Sequence, residues 1–299
     1  MNNNLITVND VSVEFDYQEN FLSKKQKIQA VKNVNLNIKK GSFVGLVGES
    51  GSGKTTLGRA ILAANHISSG QVIFHDEKSD YNLANISKQE LKDYRKKAQL
   101  IFQDPYAALS PRMTVRDILA EPLEVMKITK TREEADERVR EIASKCRLNL
   151  EHLRRYPHAF SGGQRQRISI ARALVSNPQF IVADESVAAL DVSIQADILN
   201  LLKSLQKELN LTYLFISHDL SVVAHTCDEV AVMYLGRIVE HAPTRELFSK
   251  PKHPYTKALL SSIPSIDPDK QKKAIELKGE IPSAMNPPSG CVFHTRCQY

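Results

Sequence analysis

The apolar run Ser42-Phe-Val-Gly-Leu-Val47 leads directly into Gly48-Glu49-Ser50-Gly51-Ser52-Gly53-Lys54-Thr55, and a helical pattern starts at Lys54. Strand, glycine-rich turn and helix, in that order, form the context a phosphate-binding loop requires. The octet matches G-x-x-x-x-G-K-[ST], and Thr56 follows it. Its glycines let the backbone curl so that successive N–H groups face an anion, and the helix N-terminus adds its positive dipole end. In such a loop Lys54 reaches the β- and γ-phosphates and the Thr55 hydroxyl ligates Mg²⁺.

A second apolar run, Phe180-Ile-Val-Ala, ends in the acids Asp184 and Glu185. A carboxylate at the tip of such a strand holds Mg²⁺ through its water shell, a role that falls to Asp184. Glu185 is then placed to accept hydrogen bonds from an attacking water. Two adjacent acids alone would read as a solvated strand end; the phosphate loop gives them their chemistry.

Around these motifs the pattern is α/β. Two short strands, Leu5–Val8 and Val11–Phe15, precede a polar excursion through Asn20–Gln29. Between Ser87 and Ser176 the character turns helical. Ser87-Lys-Gln-Glu90 is a capping box, and helices are expected over Thr114–Met126, Arg132–Cys146 and Gly163–Ser176, the last ended by Pro178. This reads as a helical subdomain, about 88–176, inserted into a cassette spanning 1–235. A strand over Gln179–Ala183, a helix over Ser193–Glu208 and strands at Leu211–Ser217 and Val230–Leu235 follow. From 236 to 299 the chain is rich in Pro and reads as an irregular C-terminal extension with short helices.

With 42% hydrophobic and 25% charged residues in 299, the chain is ordinary globular material. Four scattered cysteines give no disulfide framework and point to a reducing compartment. The opening MNNNLITVND lacks a basic stretch followed by an apolar one, so no secretory leader is expected. No stretch approaches the roughly 18 apolar residues that cross a bilayer. The net charge of +6 is interleaved with acids, as in Thr131-Arg-Glu-Glu, which favours a solvated basic surface over a nucleic-acid face.

Phe160-Ser161-Gly162-Gly163-Gln164 narrows the family. It resembles the L-S-G-G-Q signature of ABC cassettes, with Phe in place of Leu. Small residues before a helix make a second anion-binding N-terminus, for which one chain has no obvious need unless it faces a nucleotide held by another molecule. The resemblance implies that Ser161, Gly162, Gly163 and Gln164 contact the γ-phosphate across a dimer. It also implies a mixed-sheet P-loop core. Gln103, in Ile101-Phe-Gln-Asp-Pro105, is similar to the glutamine that senses Mg²⁺ and water; Asp191, in Ala188-Ala-Leu-Asp191, to the loop that touches the partner's site; His218, in Phe215-Ile-Ser-His-Asp219, to the histidine on the γ-phosphate. Phe15 falls where the family stacks an aromatic on adenine, with Tyr17 as the fallback. The chain departs from the family at Ser186, usually Pro, and at Ala188, usually Ser, which puts one cross-dimer contact in doubt.

The Pro-rich tail carries a finer resemblance. His253-Pro-Tyr-Thr-Lys-Ala-Leu-Leu260, Gly279-Glu-Ile-Pro-Ser283 and Asn286-Pro-Pro-Ser-Gly-Cys291-Val-Phe-His-Thr-Arg-Cys297 are similar to the tail of oligopeptide/dipeptide importer ATPases. Asn286–Gly290 and Met233-Tyr-Leu-Gly236 resemble the second, F-type, subunit. That implies an ATP- and Mg²⁺-dependent motor at the cytoplasmic face of the bacterial membrane, paired with a sister ATPase, docked on two transmembrane permeases and fed by an extracytoplasmic peptide-binding protein, with no nucleic acid. Nickel, glutathione and oligosaccharides are alternative cargoes in related importers. A soluble ABC ATPase acting on nucleic acid or ribosomes, and a module that holds ATP without cleaving it, are the competing classes. Some relatives hold an iron–sulfur cluster near the positions of Cys291 and Cys297, but two cysteines do not close a four-ligand site. Cys146 and Cys227 read as buried small hydrophobes.

Overall fold

The computed structural model describes residues 3–18, 26–77, 79–263, 275–277 and 279–299. Its contacts divide the chain into two units: Met1–Asn85 together with Phe215–Tyr299, and Ile86–Leu214.

The first unit holds an antiparallel sheet in the order Gln26–Lys39, Asn4–Tyr17, Ser69–Phe74, Tyr81–Asn82. The two short strands expected at the start are one strand, Asn4–Tyr17, whose register shifts between Val8 and Val11, where Asp10 takes φ 50°. A bulge keeps the ladder running through a residue that period-2 reading takes as a break. A further strand, not expected before Ser42, overlaps the end of the polar excursion Asn20–Gln29. Gln26–Lys39 is a strand in which Val34, Leu36 and Ile38 are buried and Asn35, Asn37 and Lys39 exposed; residues 19–25 lie outside the described residues.

The same unit contains a mixed sheet. Phe43–Val47, buried at every position, runs parallel to Glu229–Tyr234, which pairs antiparallel with Arg237–Pro243. Phe215, near the end of the strand Thr212–Ser217, meets Phe43 with ring centroids 5.7 Å apart. The C-terminal region is more regular than its Pro content suggested. It opens with the strand Arg237–Pro243, continues into helices Thr244–Ser249 and Pro254–Ser261, and seats Phe293 against Tyr234 and Tyr255 at 5.2 and 5.4 Å. Pro243 ends the strand and Pro254 opens the second helix, places where a missing N–H is tolerated.

The second unit pairs Ala98–Ile101 parallel with Phe180–Asp184, and adds helices Lys88–Lys97, Val115–Val125, Arg132–Lys145, Gly162–Leu174 and Val192–Leu209. The capping box at Ser87 and Glu90 is present in both directions, and Thr114 and Thr131 cap the next two helices through their hydroxyls. Helix Gly162–Leu174 stops short of Pro178, and Asn177 turns the chain at φ 57°. Val115, Ile118, Leu119 and Leu123 on one helix, and Ala135, Val139 and Ile142 on the next, follow three- and four-residue intervals and are all buried. The unit extends past the expected 88–176 because the strand Phe180–Asp184 and helix Val192–Leu209 join it.

Candidate nucleotide site

In the first unit the loop Gly48–Gly53 leads into helix Lys54–Ile61. Two glycines are irreplaceable on steric grounds. Gly48 has φ 150° and a Cβ there would lie 2.1 Å from the Met233 carbonyl oxygen; Gly53 has φ 100° and a Cβ would lie 2.3 Å from the Ala30 oxygen. Gly53 is also the N-cap and offers no side chain to it, so the helix start is shaped by backbone N–H groups alone. Lys54 is 6% exposed, and its ammonium donates to the Gly48 and Glu49 carbonyls at 2.8 and 2.9 Å and to Ser52 Oγ at 3.4 Å. Those bonds hold the cation across the mouth of the loop, where a phosphate would meet it.

Glu49 has partners that sequence reasoning missed. Its backbone N–H donates to the Tyr255 hydroxyl at 2.9 Å, and its carboxylate is gripped by Arg296 at 2.8 and 3.2 Å. His218 is exposed just past the strand Thr212–Ser217, and the next residue, Asp219, caps helix Leu220–Thr226 through Oδ1. Phe15 and Tyr17 are 43% and 41% exposed near the end of their strand, so both rings are available for stacking.

In the second unit Asp184 ends its strand almost fully buried, and Glu185 follows at φ 44°. A non-glycine residue in the left-handed region holds its side chain at an angle ordinary strand geometry does not provide. Gln103 Nε2 donates to Glu185 Oε2 at 2.8 Å, so the glutamine and the acid singled out separately in the sequence are brought into direct contact. Two arginines then tie the Gln103 segment to the signature helix. Arg165 lies 4.1 Å over the Tyr106 ring and donates to the Pro157 carbonyl, and Arg172 donates to the Ala108 carbonyl at 3.1 Å and to Glu121. The seven-residue spacing of the pair puts both on one helix face, a signal that was present but carried no specific meaning in the sequence.

Ser161 and Gln164 form a capping box: Ser161 Oγ accepts from the Gln164 N–H, and Gln164 Oε1 from the Ser161 N–H. Gly163 is buried, and a Cβ there would meet Ile194 Cγ2 at 2.5 Å. Asp191 is the exposed N-cap residue of helix Val192–Leu209.

Mg²⁺ takes one or two protein oxygen ligands and completes its shell with phosphate and water; Thr55 in the first unit and Gln103 and Asp184 in the second each carry an oxygen of that kind. A cluster is a different matter. Cys291 is exposed and Cys297 half-buried, and among the described residues no three His, Cys, Asp or Glu side chains group to hold a metal. The two thiols do not fit an iron–sulfur site. Cys146 and Cys227 are buried, and burial pushes the Cys146 thiol up to about 12.

Residues 31–188 match the ABC transporter family model, and residues 239–299 match the oligopeptide/dipeptide transporter C-terminal region. The chain belongs to the ABC transporter family. Among curated relatives of this ABC cassette, a putative peptide import ATP-binding protein of Brucella ovis is 52% identical over 93% of this chain and 86% of its own length. The oligopeptide transport ATP-binding protein AppF of Bacillus subtilis is 48% identical over 98% and 89%. Among solved structures, a dimeric ATP-binding cassette in a post-hydrolysis state bound to ADP and Pi gives a TM-score of 0.69 at 30% identity, covering 80% of this chain and 99% of that one. As an ABC cassette, the chain binds ATP. None of its described helices is long and apolar enough to cross a membrane.

Proposed function

We propose that this chain is an ATP-hydrolysing motor subunit of an importer of oligopeptides or dipeptides, acting at the cytoplasmic face of the membrane. The observation that carries the proposal is the joint presence, in one chain, of the phosphate loop and a C-terminal region of the oligopeptide/dipeptide transporter type. The names of the relatives, which concern peptide import and oligopeptide transport, point the same way.

In this reading the loop N–H groups and Lys54 bind and neutralise the phosphates. Thr55, Gln103 and Asp184 would hold Mg²⁺, which would supply neutralisation of the phosphate charge. Glu185 accepts hydrogen bonds from the attacking water, and Gln103, bonded to it at 2.8 Å, fixes the orientation of its carboxylate. His218 contacts the γ-phosphate, and Phe15 stacks on adenine. Ser161, Gly162, Gly163, Gln164 and Asp191 serve the nucleotide of a sister cassette, so ATP joins the two subunits and its hydrolysis releases them. Two permeases receive that motion through the Gln103 segment, which Arg165 and Arg172 fasten to the signature helix. An extracytoplasmic binding protein delivers the peptide.

Mass spectrometry of what co-purifies with the tagged chain from native membranes in mild detergent tests this. A second ATPase and two multi-span permeases are expected. Ribosomal proteins or nucleic acid with no permease would refute the importer reading.

A further inference from the structure

Glu49, the second residue of the phosphate loop, is held from three directions. Its backbone N–H donates to the Tyr255 hydroxyl at 2.9 Å, its carbonyl accepts from Lys54 at 2.9 Å, and its carboxylate receives both terminal nitrogens of Arg296 at 2.8 and 3.2 Å. Two of the three holders, Tyr255 and Arg296, lie in the C-terminal region, the part of the chain that separates it from a bare cassette. The guanidinium side chain is 8% exposed and the Glu49 side chain 26%, so the pair is shielded from solvent. The fork of two parallel bonds is the geometry in which arginine fixes a carboxylate most firmly. The bond to Glu49 holds the Arg296 guanidinium charged, and burial pushes the Tyr255 phenol well above its ordinary range, so it stays a neutral hydroxyl that accepts from the loop.

The location of that carboxylate matters. A loop built to receive a polyanion carries a negative charge of its own at position 49, and Arg296 neutralises it. Behind the clamp stands a rigid support: Tyr255 packs on Tyr234 at 4.6 Å and Phe293 on Tyr255 at 5.4 Å, all three at most 1% exposed.

We infer that Tyr255 and Arg296 are positioning residues for the phosphate loop: through Glu49 the C-terminal region sets the shape and the charge of the loop, and with them the affinity for nucleotide. The inference rests on Gly48–Thr55 being the phosphate site. Neither residue touches ATP, and their effect falls on binding more than on the chemical step.

The test is equilibrium binding of mant-ATP with Mg²⁺ to the full chain, alongside KM and kcat for ATP. In Arg296→Met an uncompensated carboxylate faces the phosphates, and affinity falls roughly fivefold or more at low salt. The deficit shrinks as ionic strength rises, and KM for ATP increases more than kcat falls. Adding Glu49→Gln to Arg296→Met removes the offending charge and recovers most of the affinity. A merely structural arginine would not be rescued in this way. If Arg296→Met folds and binds as the wild type does, or if Glu49→Gln brings no recovery, the inference is wrong. If Arg296→Met does not fold, Tyr255→Phe replaces it, keeping the ring in the aromatic cluster and deleting only the hydroxyl: weaker binding supports the inference, and wild-type affinity overturns it. A wild-type chain that binds no mant-ATP would sink the phosphate-site reading itself and the inference with it, whereas a binding wild type with unresponsive variants would sink the inference alone.

Discussion

Gly162 and Gly163 are adjacent in the first turn of the signature helix, yet the same substitution has opposite consequences at the two. A Cβ on Gly162 finds its nearest neighbour, Leu190 Cδ2, at 3.7 Å, an ordinary contact; on Gly163 it would stand 2.5 Å from Ile194 Cγ2. That methyl hangs directly from a β-branched carbon and cannot swing away as the tip of a long side chain would. Replacing glycine by alanine in a helix gains about 0.5–1 kcal/mol from reduced backbone entropy. Overpacking a fitted contact costs about 1–3 kcal/mol. At Gly162 only the gain applies, so Gly162→Ala is neutral or slightly stabilising. At Gly163 the clash wins, and Gly163→Ala destabilises by up to about 2.5 kcal/mol on these figures. In an Ile194→Ala background the obstructing methyl is gone, so the cost of Gly163→Ala should vanish or change sign, a coupling equal to the clash itself, about 1–3 kcal/mol. Urea denaturation followed by far-ultraviolet circular dichroism measures all four variants. Equal losses at the two glycines, or an unchanged cost of Gly163→Ala in the Ile194→Ala background, would refute the reasoning.

Two further outcomes follow from the site. Glu185→Gln should retain ATP binding but turn over at least ~100-fold more slowly, the scale of losing a general base; wild-type-like hydrolysis in that variant would remove Glu185 from its role. His253 caps helix Pro254–Ser261 by accepting the Tyr255 N–H at Nδ1, 3.1 Å away, and burial holds its pKa below the ordinary 6.5 although Glu240 opposes the shift. Below 6.5 the unfolded chain therefore binds the proton more readily than the folded one. The contribution is complete above that pH and is lost as the pH falls towards the folded value. The melting temperature should drop between pH 7.5 and 5.5, and His253→Asn, an acceptor that does not titrate, should shrink the drop. An unchanged pH dependence in His253→Asn would exclude the histidine.

Residues whose role is fixed by local chain geometry were legible. The strand Phe43–Val47, the helix starting at Lys54 and the box at Ser87 and Glu90 stand within a residue of where the sequence put them, since apolar runs and cap chemistry are local properties. Pairings across long sequence intervals were not. Nothing near Glu49 announces a partner 247 residues away, and nothing in Arg296 distinguishes it from the other cations of a basic chain. The strand Gln26–Lys39 illustrates a different failure. Its regular alternation runs only from Val34 to Ile38, and the polar residues Gln26, Lys27, Gln29, Lys32 and Asn33 before it hide a strand in which Val31 is buried and Ile28, Gln29 and Ala30 are half-buried. The bulge at Asp10 hid the continuity of Asn4–Tyr17 for the same reason: pattern reading assumes a constant register, and the sheet tolerates a shift.

The signature shows how one short motif serves fold and function at once. A helix start presents N–H groups at its N-cap and first three positions that no intrahelical carbonyl accepts. Ser161 Oγ takes the N–H of Gln164, and the Gln164 carboxamide takes that of Ser161. The two N–H groups outside this box belong to Gly162 and Gly163, neither of which has a side chain to cover them. Serine and glutamine thus fix the turn, and the glycines leave a surface made of backbone donors alone, the kind of surface that suits a phosphate. Gly163 is constrained a second time by Ile194, which allows its helix to approach Val192–Leu209 closely. The spacing S-G-G-Q, read from sequence as a family mark, follows from this: the outer two residues must cap, and the inner two must be bare.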